Sequence, residues 1–285
     1  MFYLINKKKD ISSFSAINAF AKENKITKIG HSGTLDPLAS GLLLCASNDD
    51  LKLFNYIENK SKKYRVNIVF GFKTDTYDIY GKVIETSKII IQSDQEIKHF
   101  LDHLIGKSWQ MPPAFSAKKI NGQRAYNLAR IGKEVKLKPV EITIYSYNIL
   151  YFDLQKQELC FDIHVSNGTY IRSIVQDLGN YLKSFATMTR LHRYEISSLK
   201  ENDDLVYKNV LPKLFKNLVE VTKSDVIELQ LNHFNHIIKT NWFNEIIKND
   251  GNYILVDHKT YLPYGIVNVL QMKLKIVKLF GKRLI

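Results

Sequence analysis

Two cysteines in 285 residues leave this chain without the thiols for a disulfide framework or a thiolate metal site. Cys45 and Cys160 stand in apolar surroundings with no ligand spacing, so reduced, buried thiols are expected. No apolar run approaches the ~20 residues that cross a bilayer. The opening MFYLINKKKD puts apolar residues before charged ones, the reverse of a secretory leader, which points to a cytoplasmic protein with no membrane association. There is no internal repeat and no low-complexity tract. A P-loop, a GxGxxG fingerprint and a Cys/His cluster are all missing, which removes the usual sequence signs of nucleotide, dinucleotide and zinc chemistry. Negative charge is also scarce: 28 acidic residues face 41 basic ones, for a net charge of +13.

That imbalance attracts polyanions, with nucleic acid first among them. A lysine-rich composition with solvated side chains explains the total equally well, so the clustering matters more. Lys7 to Lys9, Lys60 to Arg65 and Ser116 to Lys138 concentrate the positive charge, and Phe115 and Tyr126 add aromatic rings to the third group. Base and ring together suit phosphates and stacked bases. The hydrophobic fraction of 45% is that of an ordinary globular protein.

Alternation marks the strands. In KYRVNIVFGF, Tyr64, Val66, Ile68 and Phe70 share one face. TDTYDIYG breaks that pattern with turn formers and GKVIET resumes it, which predicts a hairpin around a loop. VEITIYSYNILYFDLQ and ELCFDIHVS are further strands. Ile97, Phe100, Leu101 and Leu104 predict a helix capped by Ser93 and ended near Gly106. Tyr170, Ile174, Val175 and Leu178 predict another, capped by Thr169. Strands and helices without strict βαβ order favour an α+β fold with a mixed, mostly antiparallel sheet flanked by helices. The polar stretch KENDDLVYKNV and the strand-rich tail, with a Pro-Tyr-Gly turn, suggest a body over 1–225 and a small β appendage over 226–285.

One stretch stands out: GHSGTLDPLASG, residues 30–41. A residue before proline is driven to extended geometry, and Gly30, Gly33 and Gly41 allow unusual dihedrals and close backbone approach. Asp36 therefore sits in a shaped loop ahead of the apolar run LLLCA, either as a turn former bonded to its own backbone or as a carboxylate held for chemistry. Tyr64 lies on the inward face of its strand. Arg172 falls in the first turn of its helix, where the dipole disfavours a cation, so a partner anion is expected.

Read together, four ordered blocks are specific. GHSGTLDPLASGLLL, KKYRVNIVFGFKTDTYDIYG, MPPAFSAKKINGQRAYNLARIGKEV and SNGTYIRSIVQDLG resemble the signatures of the bacterial tRNA pseudouridine synthase B (TruB) family, over roughly residues 5 to 200. The resemblance implies a pseudouridine synthase fold and isomerisation of the T-loop uridine at tRNA position 55. It implies no cofactor, no metal and no protein partner, only the tRNA T-arm and a monomeric enzyme. It makes Asp36 the catalytic residue, with Arg172 paired to it and Tyr64 stacked on the uracil as candidate general base. His31 would fill the space left by the flipped base, Asp78 and Tyr170 would line the pocket, and Lys118, Lys119 and Arg124 would hold phosphates. The N-terminal NKKKDISS departs from the family pattern, with Lys8 and Asp10 where proline and glycine are usual. Three other readings compete. A non-catalytic tRNA-binding or folding protein needs the basic patches but not the Asp36, Tyr64 and Arg172 set. A two-carboxylate hydrolase would use Asp36 with Asp78. A guide-dependent relative would carry a fuller C-terminal domain.

Overall fold

The structure, a computed structural model, describes residues 1–116, 118–120, 123–124, 137–203, 207–221, 223–234, 249–271 and 273–283. In chain order the strands are β1 (Phe2–Lys7), β2 (Ile29–His31), β3 (Ser40–Ser47), β4 (Lys62–Phe70), β5 (Phe72–Thr74), β6 (Val83–Thr86), β7 (Gly106–Gln110), β8 (Lys119–Ile120), β9 (Gln123–Arg124), β10 (Val140–Asp153), β11 (Glu158–Val165), β12 (Ala186–Ile196), β13 (Leu199–Lys200), β14 (Leu218–Val221), β15 (Gly251–Asp257), β16 (Pro263–Leu270) and β17 (Lys273–Leu279). The helices are α1 (Ser13–Glu23), α2 (Gln95–His103), α3 (Ile171–Tyr181), α4 (Tyr207–Leu214) and α5 (Lys223–Phe234).

One large sheet runs in the order β1-β3-β12-β4-β11-β10-β7, with β2 added beside β3 and β13 beside β12. Its pairings are antiparallel except for β3 with β12, where Ser40 faces His192 and Gly41 faces Arg193. The fold is thus α+β, as the pattern of elements indicates. Alternation decides what each face does. Tyr64, Val66, Ile68 and Phe70 of β4 all point into one core, shared with Ile97 and Leu101 of α2 and Ile174, Val175 and Leu178 of α3. β3 is apolar on both sides because it is buried on both. Leu43 and Cys45 enter this core, while Leu42, Leu44 and Ala46 enter a second one with Val210, Leu211 and Leu214 of α4. Burying each such leucine stabilises by about 1.5–3 kcal/mol.

A smaller sheet, β14-β15-β16-β17, forms the C-terminal part. Ile254, Val256 and Ile266 from it join the second core, and Arg283 donates to the fully buried Asp50 at 2.8 Å. The two sheets therefore share apolar contacts, and an ion pair between short helical turns beside them adds to these. Pro263, Tyr264 and Gly265 lie within β16, not in a turn. The turn precedes them: Asp257 Oδ1 accepts from the backbone N–H of Lys259 and Thr260 and from the Thr260 hydroxyl, and proline is tolerated at a strand's first residue.

Two expected caps move by one residue. The N-cap of α2 is Asp94, with Ser93 one step outside. The N-cap of α3 is Tyr170, not Thr169, and it makes no side-chain cap bond. Gln110 of β7 takes over, its Oε1 accepting from Tyr170 N at 2.8 Å and its Nε2 donating to Tyr170 O at 3.0 Å. The start of α3 is fixed by a neighbouring strand, which no local pattern encodes.

Candidate active site

The loop carrying Asp36 is held from both sides by the N-terminal turn. Ser13 Oγ donates to Leu35 O and accepts from Leu35 N, both at 2.8 Å. Asp10 N donates to Pro37 O at 2.9 Å, and Lys7 Nζ reaches the same oxygen at 3.3 Å. Lys7 is buried and also donates to Ile11 O and Lys8 O. Burial pulls its pKa down to about 8, against the pull of Asp36 and Asp10. Asp10 has φ 70, a left-handed geometry that aspartate tolerates. At the far end, Gly41 has φ 102, and a Cβ there would stand 2.2 Å from Arg193 O. Only glycine permits β12 to approach so closely.

Arg172, buried at the start of α3, meets Asp36 with two parallel bonds, Nε to Oδ2 at 2.8 Å and Nη2 to Oδ1 at 3.1 Å. Its remaining donors reach Thr76 O at 3.0 Å and Phe115 O at 2.8 Å. A planar fork matched to a carboxylate fixes orientation as well as charge. Asp36 is 33% exposed against 6% for the arginine side chain, so the carboxylate stands between a buried cation and open space.

That space is a cavity of about 310 Å³, the size of a small-molecule site. Asp36, Tyr64, Tyr170, Arg172 and Lys118 all line it. Tyr64 is buried, with its hydroxyl 3.4 Å from Arg193 Nη1. Burial raises the Tyr170 pKa. Two lining groups escape the sequence pattern. Arg193 of β12, 1% exposed, donates to Leu42 O and Gly33 O. Lys62 of β4 is grouped by sequence with solvated phosphate-binding lysines, yet it is buried, donating to Asn167 Oδ1 at 2.7 Å and Lys60 O at 3.0 Å. Burial first, then Arg193 and Lys60, lower its pKa to about 7. In-phase spacing could have found both: Lys62 is two residues before Tyr64, and Arg193 two after Leu191, another lining residue.

The other expected residues separate. Asp78 is buried but does not line the cavity. Its Oδ1 accepts from the Thr76 hydroxyl at 2.8 Å and Tyr80 N at 3.0 Å, and burial raises its pKa. It shapes the loop whose Thr76 carbonyl holds Arg172, and it is no second carboxylate in the pocket. His31 lies on β2 outside the cavity, with Nδ1 accepting from Gly33 N at 3.3 Å. Lys63 pairs with Glu195 at 3.0 Å. The backbones of Lys119 and Arg124 pair across β8 and β9, but their side chains, like all of Tyr126, fall outside the described residues.

The chain has relatives among known proteins. Residues 21–171 match the model of the TruB family pseudouridylate synthase N-terminal domain. The chain is 39% identical to tRNA pseudouridine synthase B of Mycoplasmopsis pulmonis, covering 100% of this chain and 96% of that protein. It is 37% identical to the Aquifex aeolicus protein of the same name, over 81% of this chain and 82% of that one. Among solved structures, a chain of a Cbf5-Nop10-Gar1 complex superposes with a TM-score of 0.63 at 18% identity, over 97% of this chain and 84% of that chain. At that identity the likeness shows the shared fold.

Proposed function

This chain belongs to the TruB family of pseudouridylate synthases and is an RNA pseudouridine synthase, and on that premise we propose that it isomerises uridine to pseudouridine at position 55, in the T-loop of tRNA, with Asp36 as nucleophile. The observation that carries this reading is the forked Asp36–Arg172 pair at a nucleotide-sized cavity that also holds Tyr64. The reaction breaks the bond between C1′ and N1, turns the base and joins C5 to C1′. It loses no atom and oxidises nothing. A carboxylate qualifies as the nucleophile, and Arg172 aims it. Tyr64 stacks on the uracil and serves as general base for the proton shift from C5. The target uridine is flipped out of its stack to reach the cavity, at a cost of a few kcal/mol. Tyr170 packs on the flipped nucleotide, Asp78 positions Arg172 through Thr76, and His31 supports the loop near the space the base vacates. Lys118, Lys119 and Arg124 hold backbone phosphates.

We propose further that the enzyme acts in the cytoplasm as a monomer, without a guide or protein partner. We divide the chain into a catalytic body and a C-terminal β unit, and the pairing of β14 with β15 supports a division ahead of Leu218. Incubation with unmodified T-arm RNA, followed by chemical mapping of pseudouridine, tests the reading. A single modified site at the T-loop uridine is expected, and an unmodified T-arm overturns it.

A further inference from the structure

The cavity holds more positive charge than its one carboxylate matches. Arg172 is paired with Asp36. Lys62 and Arg193 are buried in the lining that β4 and β12 contribute, and among the described residues neither forms an ion pair. Lys62 donates to a backbone carbonyl and an amide oxygen. Arg193 donates to the Leu42 and Gly33 carbonyls and approaches the Tyr64 hydroxyl. The two converge under Gly33, where a Cβ would stand 3.2 Å from Lys62 Cε and 3.6 Å from Arg193 Nη1. Buried charges are costly unless paired, so an unpaired guanidinium and a lysine that sheds its proton near pH 7, lining one cavity together, call for an anion.

We propose that Lys62, beside Arg193, forms an anion cradle for the detached base, making Lys62 a catalytic residue of the base-leaving step. This rests on the functional reading above. When the bond between C1′ and N1 breaks, its electron pair stays with the ring, and the base becomes a uracilate monoanion. Asp36 either bonds to C1′ or takes the proton from C2′. By both routes its negative charge is gone. One negative charge therefore crosses the cavity, from the wall where Arg172 matches it to the ring stacked on Tyr64, where Lys62 and Arg193 await it. The second half returns the charge: C5 bonds to C1′, Asp36 becomes a carboxylate again, and the C5 proton ends on N1. Fixed charge aimed where charge develops is the most effective form of electrostatic catalysis. Lys62 is tuned for this: Arg193 from β12 and Lys60 from the loop before β4 lower its pKa together with burial, and the neutral Asn167 faces it from the loop before α3. An arriving anion relieves that strain.

The test is single-turnover cleavage at saturating tRNA, with tRNA affinity measured separately. Wild-type pseudouridine formation comes first, since its failure sinks the underlying reading and not the cradle. Lys62→Met, close in volume and uncharged, is expected to slow the single-turnover step about 100-fold with affinity nearly unchanged. On RNA carrying 5-fluorouridine at the target, whose more acidic ring leaves as a weaker base, the penalty is expected to fall to about 10-fold for loss of the initial 5-fluorouridine. A structural role for Lys62 gives equal penalties on both substrates and overturns the proposal, as does a wild-type rate in Lys62→Met. Should Lys62→Met not fold, the exposed Asn167→Asp decides. A carboxylate on Lys62 pre-empts its charge and slows the same step, and an unchanged rate refutes the cradle.

Discussion

The two walls of the cavity are built on opposite electrostatic plans. One, from the Asp36 loop and the start of α3, is matched: a buried guanidinium grips a half-exposed carboxylate through two bonds. The other, from β4 and β12, is unmatched: Lys62 and Arg193 are bonded to neutral oxygens. A matched pair fixes geometry in the resting protein. An unmatched pair stores attraction for charge that arrives later. Substitutions on the two walls should therefore fail differently.

The largest effect is expected at the matched wall. Asp36→Asn removes the nucleophile, yet its amide oxygen still accepts from Arg172, so the protein should fold and bind tRNA with near-normal affinity while pseudouridine formation falls below detection. Turnover above background by a purified Asp36→Asn protein, assayed by chemical mapping, would remove Asp36 from its role. Arg172→Lys comes next. Lysine keeps the charge but cannot fork, nor reach Asp36, Thr76 and Phe115 at once. A misaimed carboxylate is expected to cost about 100-fold in kcat, with the Michaelis constant little moved. A rise confined to the Michaelis constant would show that the fork binds substrate and does not aim Asp36.

The matched wall was legible in sequence and the unmatched one was not, for a physical reason. Asp36 before a proline in a glycine-bearing loop and Arg172 in a helix's first turn each stand out from their neighbours, and such marks are visible one chain segment at a time. Gly41 is a similar case, because its left-handed geometry and its contact with Arg193 O leave a glycine in the sequence. Lys62 and Arg193 break no local rule. Arg193 belongs to TRLHRYE, where Arg190, Glu195 and register shifts at Met188/Arg190 and Arg193/Glu195 blur its in-phase spacing with Leu191. That strand, central in the sheet, carries no sequence mark of its place. In sequence Lys62 looks like one more surface lysine beside Lys60 and Lys63, until β11 and the loop at Asn167 cover it. The cap of α3 fails by one residue in the same way, since Gln110, 60 positions away, sets its start.

The unmatched wall should reveal itself in stability against pH. Lys62 has a folded pKa near 7 against 10.5 for the free side chain. Between those values the unfolded chain holds a proton that the folded one lacks, so stability rises with pH through that window. Lys7, lowered to about 8, adds the same sign over a narrower range. Lys62→Met removes the first contribution. Its stability relative to wild type is expected to be greatest near pH 7 and to shrink by up to about 1.4 kcal/mol per pH unit toward pH 9. Urea unfolding of both proteins at pH 7, 8 and 9 checks this, and a constant difference would mean that Lys62 stays charged in the folded state.

The smallest effect is expected at the rim, where the comparison ends and ordinary charge takes over. Lys118 lines the cavity mouth, and its Nζ donates to Lys138 O at 3.2 Å. It is neither buried like Lys62 nor paired like Arg172, so it is expected to meet a backbone phosphate and release a counterion. Each neutralised phosphate adds a slope of about 0.7–0.9 in log affinity against log salt. Lys118→Ala is expected to lower the tRNA-binding slope by about that one increment, to raise the Michaelis constant at moderate salt and to leave the saturated rate alone. Affinities of wild type and variant at several salt concentrations decide it. Parallel lines would make Lys118 a solvated lysine of a lysine-rich chain. A fall in saturated rate at an unchanged slope would instead move it onto the unmatched wall, where charge acts on the reaction and not on the approach of RNA.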